Sequence, residues 1–334
     1  MNKQQVDDLL AEFERDANGP VQLSDEWFAI RNEQIVEGVT RIGGSEISSL
    51  MGENPYCNTK QLILYKSGKQ EKKMGGMMAC WFGTMFEEVA VMVLETIQST
   101  KVHCKNISLI DKVLVGMMYS PDGIIALPVT TNGDPIINDS ITDEEHVGII
   151  YSPVMVEIKC PFRRLPKEQM PKYYYSQLQA GLLNIPIVTG ALFVDNLFRI
   201  CHKNHLTFNT FFAFHLFPQS PYINASPLVF GYILLNTKEH EDKKKIDLGE
   251  LKYDAFETLM EGVTKGKYDI TYSKVFIYPE ECTDTLEGET YNYVMCWKLF
   301  DIKYTFVGRD DIHITKIYDK VSLYLSGGLN YLVA

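Results

Sequence analysis

The stretch VMVEIKCP, Val154–Pro161, alternates along its length. Val154, Val156, Ile158 and Cys160 share one parity, while Met155, Glu157 and Lys159 share the other. Residues two apart in a strand lie on one face, roughly 6.5–7 Å from each other. The pattern predicts a half-buried strand with Glu157 and Lys159 side by side on its open face. Taken alone, Glu-x-Lys is most simply a surface ion pair contributing about 1 kcal/mol at most. Upstream, YSPDG at 119–123 puts Asp122 at the mouth of a tight Pro/Gly turn. An Asp followed by Glu-x-Lys on a later strand is the smallest set of side chains that hydrolyses a phosphodiester with a hard divalent metal.

Helices and strands are expected on both sides of this stretch. Upstream, Lys101–Leu109, Val113–Tyr119 and Ile124–Leu127 read as strands, and the chain returns over Ile149–Cys160. Between them, residues 128–148 form a polar loop whose acidic residues Asp139, Asp143, Glu144 and Glu145 read as solvated. Downstream, Pro171 can open a helix over KYYYSQLQAGLLN, with Leu178 and Leu182 inward and Tyr173, Gln177 and Gly181 on a neighbouring face. Strand Val188–Val194 follows.

Earlier in the chain, residues 3–16 and the segment opening at Ser24 read as helices. In RIGGSEISSLMG, Gly43-Gly44 make a turn and Ser45 can cap a helix, whose free N–H groups suit an anion. Helix Met85–Ile97 carries an apolar stripe, and its Thr84-x-x-Glu87 start reads either as a capping box or as a carboxylate for a metal. Beyond residue 205 there is no chemical motif. Leu228–Leu235, Ile270–Tyr278 and Tyr291–Val307 read as strands, Asp254–Val263 as a helix and 238–247 as an exposed loop.

Composition narrows the class. The 334 residues are 46% apolar and 12% aromatic, enough for a large core, with no apolar run long enough for a membrane span. The polar N-terminus lacks a signal-peptide layout, so a cytoplasmic protein, or one acting where a viral genome replicates, is expected. Seven cysteines without a C-x-x-C argue for reduced thiols. Cys201-His202 with His205 lacks a second ligand pair and reads as a polar loop. A net charge of −11 opposes a general nucleic-acid binder but allows positive charge confined to one groove. Two local clusters could supply it: Lys60, Lys66, Lys69, Lys72 and Lys73, and then Arg163, Arg164, Lys167 and Lys172.

Six motifs in order carry a family resemblance: WFAIR (27–31), GGSEI (43–47), GTMFE (83–87), SPDG (120–123), VEIKCPF (156–162) and YYSQLQ (174–179). Together they resemble the YqaJ/lambda-exonuclease branch of the PD-(D/E)xK nucleases, over about Trp27 to Asp195. The resemblance implies an α/β fold with a restriction-endonuclease-like core, a central mixed sheet flanked by helices, in residues 1–205. Residues 206–334 would be an α+β extension packed on it. It implies magnesium, replaceable by manganese, in a two-metal site formed by Asp122, Glu157, Glu87 and the Ile158 carbonyl. Lys159 would sit by the attacking water, with Gln177 and Tyr174 in support. Arg31, Ser45 and Ser120 would hold a 5′-phosphate, although Arg31 alone reads as an ordinary helix-surface arginine. Arg163 and Arg164 would contact DNA.

The expected activity is removal of nucleotides from the 5′-ended strand of linear duplex DNA. The expected partners are DNA ends, a single-strand-annealing protein and further copies of the chain in a trimer, with no membrane. A structure-specific or nicking endonuclease and a non-catalytic DNA-end-binding protein are the alternatives. The loop between Asp122 and Glu157 is longer than the family usually has.

Overall fold

Residues Ile150–Lys159 form a strand inside an eight-stranded mixed sheet. The computed structural model describes residues 1–71, 77–137, 149–206, 227–238, 245–251 and 253–333. Lys72, Lys73, Asp139, Asp143, Glu144 and Glu145 lie outside the described residues, as does most of the run 238–247.

The strand runs antiparallel to Gly123–Val129 and parallel to Gly190–Cys201. A parallel neighbour requires a crossover, and helix Tyr175–Asn184 supplies it. Beyond Gly190–Cys201 come Tyr293–Gly308, Val229–Thr237 and, at the edge, Tyr268–Tyr272, each antiparallel to the one before. Val102–His103 closes the other edge. The strands after residue 205 thus continue the sheet that holds VMVEIKCP. A separate three-stranded sheet joins Ile42–Gly43, Met117–Tyr119 and Leu109–Ile110.

The expected open face does not exist. Val154, Val156 and Ile158 pack with Phe82, Phe86 and Val89 of the long helix Met77–Ile97. On the other face Met155 packs in a second core with Leu178 and Leu182 of Tyr175–Asn184, and Ile317 and Val321 of helix Asp311–Leu325. Strands with parallel neighbours are covered on both faces, and Glu157 is accordingly 2% exposed.

Four local expectations need correction. The long helix opens at Met77, so Thr84 lies within it, donates to the Cys80 carbonyl and forms no capping box with Glu87. Ser45 lies in a single 3-10 turn, Gly44–Glu46, where Glu46 reaches back to accept the Gly43 N–H at 2.8 Å. The helix that follows, Ile47–Leu50, starts at Glu46 without a side-chain cap. Lys101–Leu109 is broken because Cys104 and Asn106 both adopt φ 61°, leaving two short strands in different sheets. Downstream, Ile270–Tyr278 is a strand only to Tyr272, and Pro279 opens a helix to Glu287.

Helix Tyr175–Asn184 approaches the sheet closely at Gly181, where a Cβ would lie 2.4 Å from Met155 Sδ and 2.7 Å from Tyr119 Cζ. Overpacking such a contact costs about 1–3 kcal/mol. Urea unfolding of Gly181→Ala should show that loss as a lower midpoint with an unchanged slope. An unchanged midpoint would mean that the helix is not seated on Met155.

Candidate active site

Gly123 pairs with Val156, so one step further along the ladder Asp122 stands opposite Glu157. Asp122 Oδ2 accepts the Ile158 N–H at 2.6 Å. Glu157 is surrounded by donors. Its Oε1 accepts from Lys159 Nζ and from Gln177 Nε2 at 2.6 Å, and its Oε2 accepts from the Tyr119 hydroxyl at 3.3 Å. Gln177 therefore supports the carboxylate, where support of Lys159 or a water was expected. Lys159 Nζ also lies 5.4 Å from the centre of the Tyr174 ring. Glu87, from the helix on the opposite face, meets Ile158, Lys159, Arg164 and Tyr174 in the lining of one cavity of about 310 Å³.

The charges in this site are out of balance. Burial, and after it the Glu157 charge, pushes the Asp122 carboxyl well above its ordinary range, against the pull of Lys159. Burial raises Glu87 too, helped by Glu157 and Glu88 and opposed by Lys159. Burial alone would lower Lys159, but Glu157 and Asp122 outweigh it and hold the ammonium above its ordinary value. Burial, Glu157 and Asp122 raise the Tyr119 hydroxyl, which stays protonated and donates.

Three carboxylates against one ammonium leave room for a cation. Among the described residues no three His, Cys, Asp or Glu side chains already converge on a metal position. The Glu157 oxygens face Lys159, Gln177 and Tyr119 instead. The donor set still fits magnesium, which takes oxygen ligands, needs only one or two carboxylates and keeps its remaining waters. Asp122 and Glu157 would provide those carboxylates, with Glu87 across the cavity and Ile158 in its lining.

The turn that carries Ser45 packs against Tyr119. A Cβ on Gly44 would lie 2.3 Å from the Tyr119 ring, so the 43–46 turn closes onto that ring only with glycine. Ser45 is exposed on this turn, and Ser120 follows Tyr119. Arg31 is no free surface arginine, because its Nη2 is 3.2 Å from Glu46 Oε2 and its guanidinium 4.8 Å from the Trp27 ring centre. Lys66 shares the same Glu46 oxygen at 2.8 Å. Burial would raise the Glu46 carboxyl, but Lys66 and Arg31 hold it below its ordinary value.

Of the two arginines after the strand, Arg164 lines the cavity, whereas Arg163 is exposed and lies over Phe162. Arg164 forks onto Asp195, with Nη2 2.8 Å from Oδ1 and Nη1 bonded to Oδ2. Asp195 is the register partner of Lys159 and 1% exposed. Tyr119, Glu46 and Asp195 are the residues that motif reading passed over. Tyr119 and Glu46 lie inside quoted motifs, and Asp195 is an acid in the otherwise apolar run GALFVD.

Comparison with known proteins shows the family. A model of the YqaJ-like viral recombinase domain matches residues 26–191. Protein D345L of African swine fever virus, strain Badajoz 1971, is 33% identical over 261 residues, 77% of this chain and 72% of the relative. The chain belongs to the YqaJ-like viral recombinase family. A second D345L, from a Malawi tick isolate, is 32% identical over 288 residues, 85% of this chain and 79% of that protein. Two solved structures are also similar. An alkaline exonuclease from Laribacter hongkongensis is 14% identical with a TM-score of 0.42, covering 92% of this chain and 96% of its own. The shutoff and exonuclease protein of Kaposi's sarcoma-associated herpesvirus is 11% identical with a TM-score of 0.31, covering 99% and 74%. The YqaJ-like family is one of metal-dependent nucleases. No helix among the described residues is long and apolar enough to cross a membrane.

The raised Asp122 pKa has a measurable sign. Native Asp122 keeps its proton to higher pH than the unfolded chain does, so its contribution to stability falls as pH rises between the two values. Asp122→Asn keeps an acceptor for the Ile158 N–H and removes the charge. In EDTA at about pH 8 the variant should be more stable than wild type by about 0.5–2 kcal/mol. That gap should close as pH falls into the ordinary carboxylate range, followed by thermal melting. A variant less stable at the higher pH would contradict the charge imbalance.

Proposed function

We propose that this YqaJ-like chain is a magnesium-dependent exonuclease that shortens the 5′-ended strand of linear duplex DNA. The product would be a 3′ single-stranded tail suited to annealing-type recombination. The observation that carries the reading is the meeting of Asp122, Glu157 and Lys159 at adjacent strand ends, with Gln177 fixed on Glu157. Bound magnesium would lower the pKa of a water and neutralise charge on the phosphate, and a second ion or manganese could share the task. The chain's own part is positional. Asp122 and Glu157 hold the ion, and Lys159 orients the attacking water and balances charge gathering on the phosphoryl oxygens. Glu87 faces them from the opposite wall.

Preference for an end would rest on Arg31, whose guanidinium would exchange Glu46 for the phosphate, together with Ser45 and Ser120. A guanidinium fork and two hydroxyls suit a terminal phosphate dianion, which a closed circle lacks. Assembly into a trimer around DNA and work beside a single-strand-annealing protein extend the proposal. So does a division of the chain at residue 205 into a motif-bearing nuclease part and a part that continues its sheet.

Digestion of a blunt linear duplex, labelled internally on one strand and at the 3′ end of the other, tests the reading. In Mg²⁺ the 5′-ended strand should shorten, EDTA should stop it, and a closed circle should survive. Lys159→Ala should lower the rate by about 10²–10⁴-fold. Arg31→Ala should slow only ends that carry a 5′-phosphate. Cutting of the circle would turn the reading to an endonuclease, and inertness on all DNA would end the nuclease reading.

A further inference from the structure

Three tyrosine rings form a ladder from the cavity to the surface. Tyr174 lines the cavity, with its ring 5.0 Å from that of buried Phe193. Tyr173 follows, 4.4 Å from Tyr174 between ring centres and tilted by 45°. Tyr56 stands edge-on to Tyr173 at 6.0 Å and 85°. The inner rung is fixed by the core, while Tyr56 is 81% exposed.

A single exposed tyrosine needs no explanation, but this one is held in place. Its N–H donates to Asn54 Oδ1 at 2.9 Å, and Asn54 Nδ2 donates to Ser49 Oγ at 3.0 Å. These bonds fix the backbone of the turn, and the ring itself rests edge-on against Tyr173. Basic residues gather near the ladder in sequence, in a chain whose net charge is −11. Arg164 shares the cavity lining with Tyr174, with its guanidinium forked onto Asp195. Exposed Lys172 precedes Tyr173, and exposed Arg163 and Lys167 lie in the segment between VMVEIKCP and Lys172. Glu168 between them is paired with Lys303 at 2.9 Å. Aromatic faces interleaved with positive charge are what single-stranded nucleic acid binds without sequence preference, since every base has a face to stack.

We propose that Tyr56 and Tyr173 stack unpaired bases of the DNA strand whose phosphate occupies the cavity. The inference rests on the nuclease reading for the identity of that strand. Stacking would keep the frayed nucleotides apart from their complement, so that a single strand enters the space between Lys159 and Glu87. Because stacking ignores base identity, the ladder would act on any sequence. Tyr56 would add affinity without touching the reacting atoms.

The test is binding of a short single-stranded oligodeoxynucleotide carrying 2-aminopurine, in EDTA, read by anisotropy and by quenching of that base. Wild type should bind and quench. Stacking of one base corresponds to about 5- to 150-fold in affinity. Tyr56→Ala should lose affinity in that range together with quenching, while Tyr56→Phe should behave as wild type. Tyr173→Ala should lose quenching as well. As Tyr56 is exposed, its alanine variant should melt with wild type, which separates stacking from folding. Equal binding and quenching by wild type and Tyr56→Ala would overturn the proposal, as would a wild type that does not quench. Tyr56-dependent quenching by a protein that cuts neither linear nor circular DNA in Mg²⁺ would uphold the ladder and remove the nuclease reading. Cutting of linear DNA with Tyr56 making no difference to quenching would do the reverse.

Discussion

Glu157 is a carboxylate that the fold buries beside a second one. Desolvating two such groups would cost several kcal/mol each without compensation. The compensation arrives from three directions: Lys159 on the same strand, Gln177 on the crossover helix and Tyr119 from the strand before the Asp122 turn. Two of these donors, Gln177 and Tyr119, are held by close packing at glycines. The crossover helix reaches the sheet because Gly181 admits Met155 and Tyr119, and the 43–46 turn braces Tyr119 because Gly44 has no side chain. The arrangement of helices around the sheet thus converges on one anion.

The donors satisfy Glu157 but leave Asp122 and Glu87 raised by burial and by the Glu157 charge. Such a site is held ready by packing against its own electrostatic preference. Functional sites commonly carry this kind of local cost, met by the stability of the surrounding structure. Here the surroundings are two apolar cores, one on each face of the sheet, both containing side chains of the same strand.

Much of the site is legible in the residues because its parts are local. Glu157 and Lys159 are two apart, Asp122 is marked by a Pro/Gly turn, and Gln177 lies in the helical stretch announced by Pro171. The same strand misleads about burial. Its alternation of apolar and polar residues looks amphipathic, yet the polar parity begins with Met155, and the crossover helix and Asp311–Leu325 cover that face. Partners far apart in sequence leave no local trace. Asp195 is 31 positions from Arg164, and Glu46 joins Arg31 to Lys66 across a turn and a helix. Thr84 and Glu87 imitate a cap because the helix before them starts in a Met- and Gly-rich stretch that carries no start signal. Helix Asp311–Leu325 went unread, although Ile314, Ile317, Val321 and Tyr324 recur at helical spacing and are all buried.

Sealing the strand on both faces also fixes its alignment. A slip of one residue would exchange the two parities and drive Glu157 and Lys159 toward Phe86 and Phe198 in the apolar core. Burying an unpaired charge there is far costlier than any gain from the shifted ladder. The hydrophobic pattern of VMVEIKCP therefore acts as a ratchet on the placement of its polar end. Errors of pairing that a flat, solvated strand would tolerate are excluded during folding, before any substrate is present.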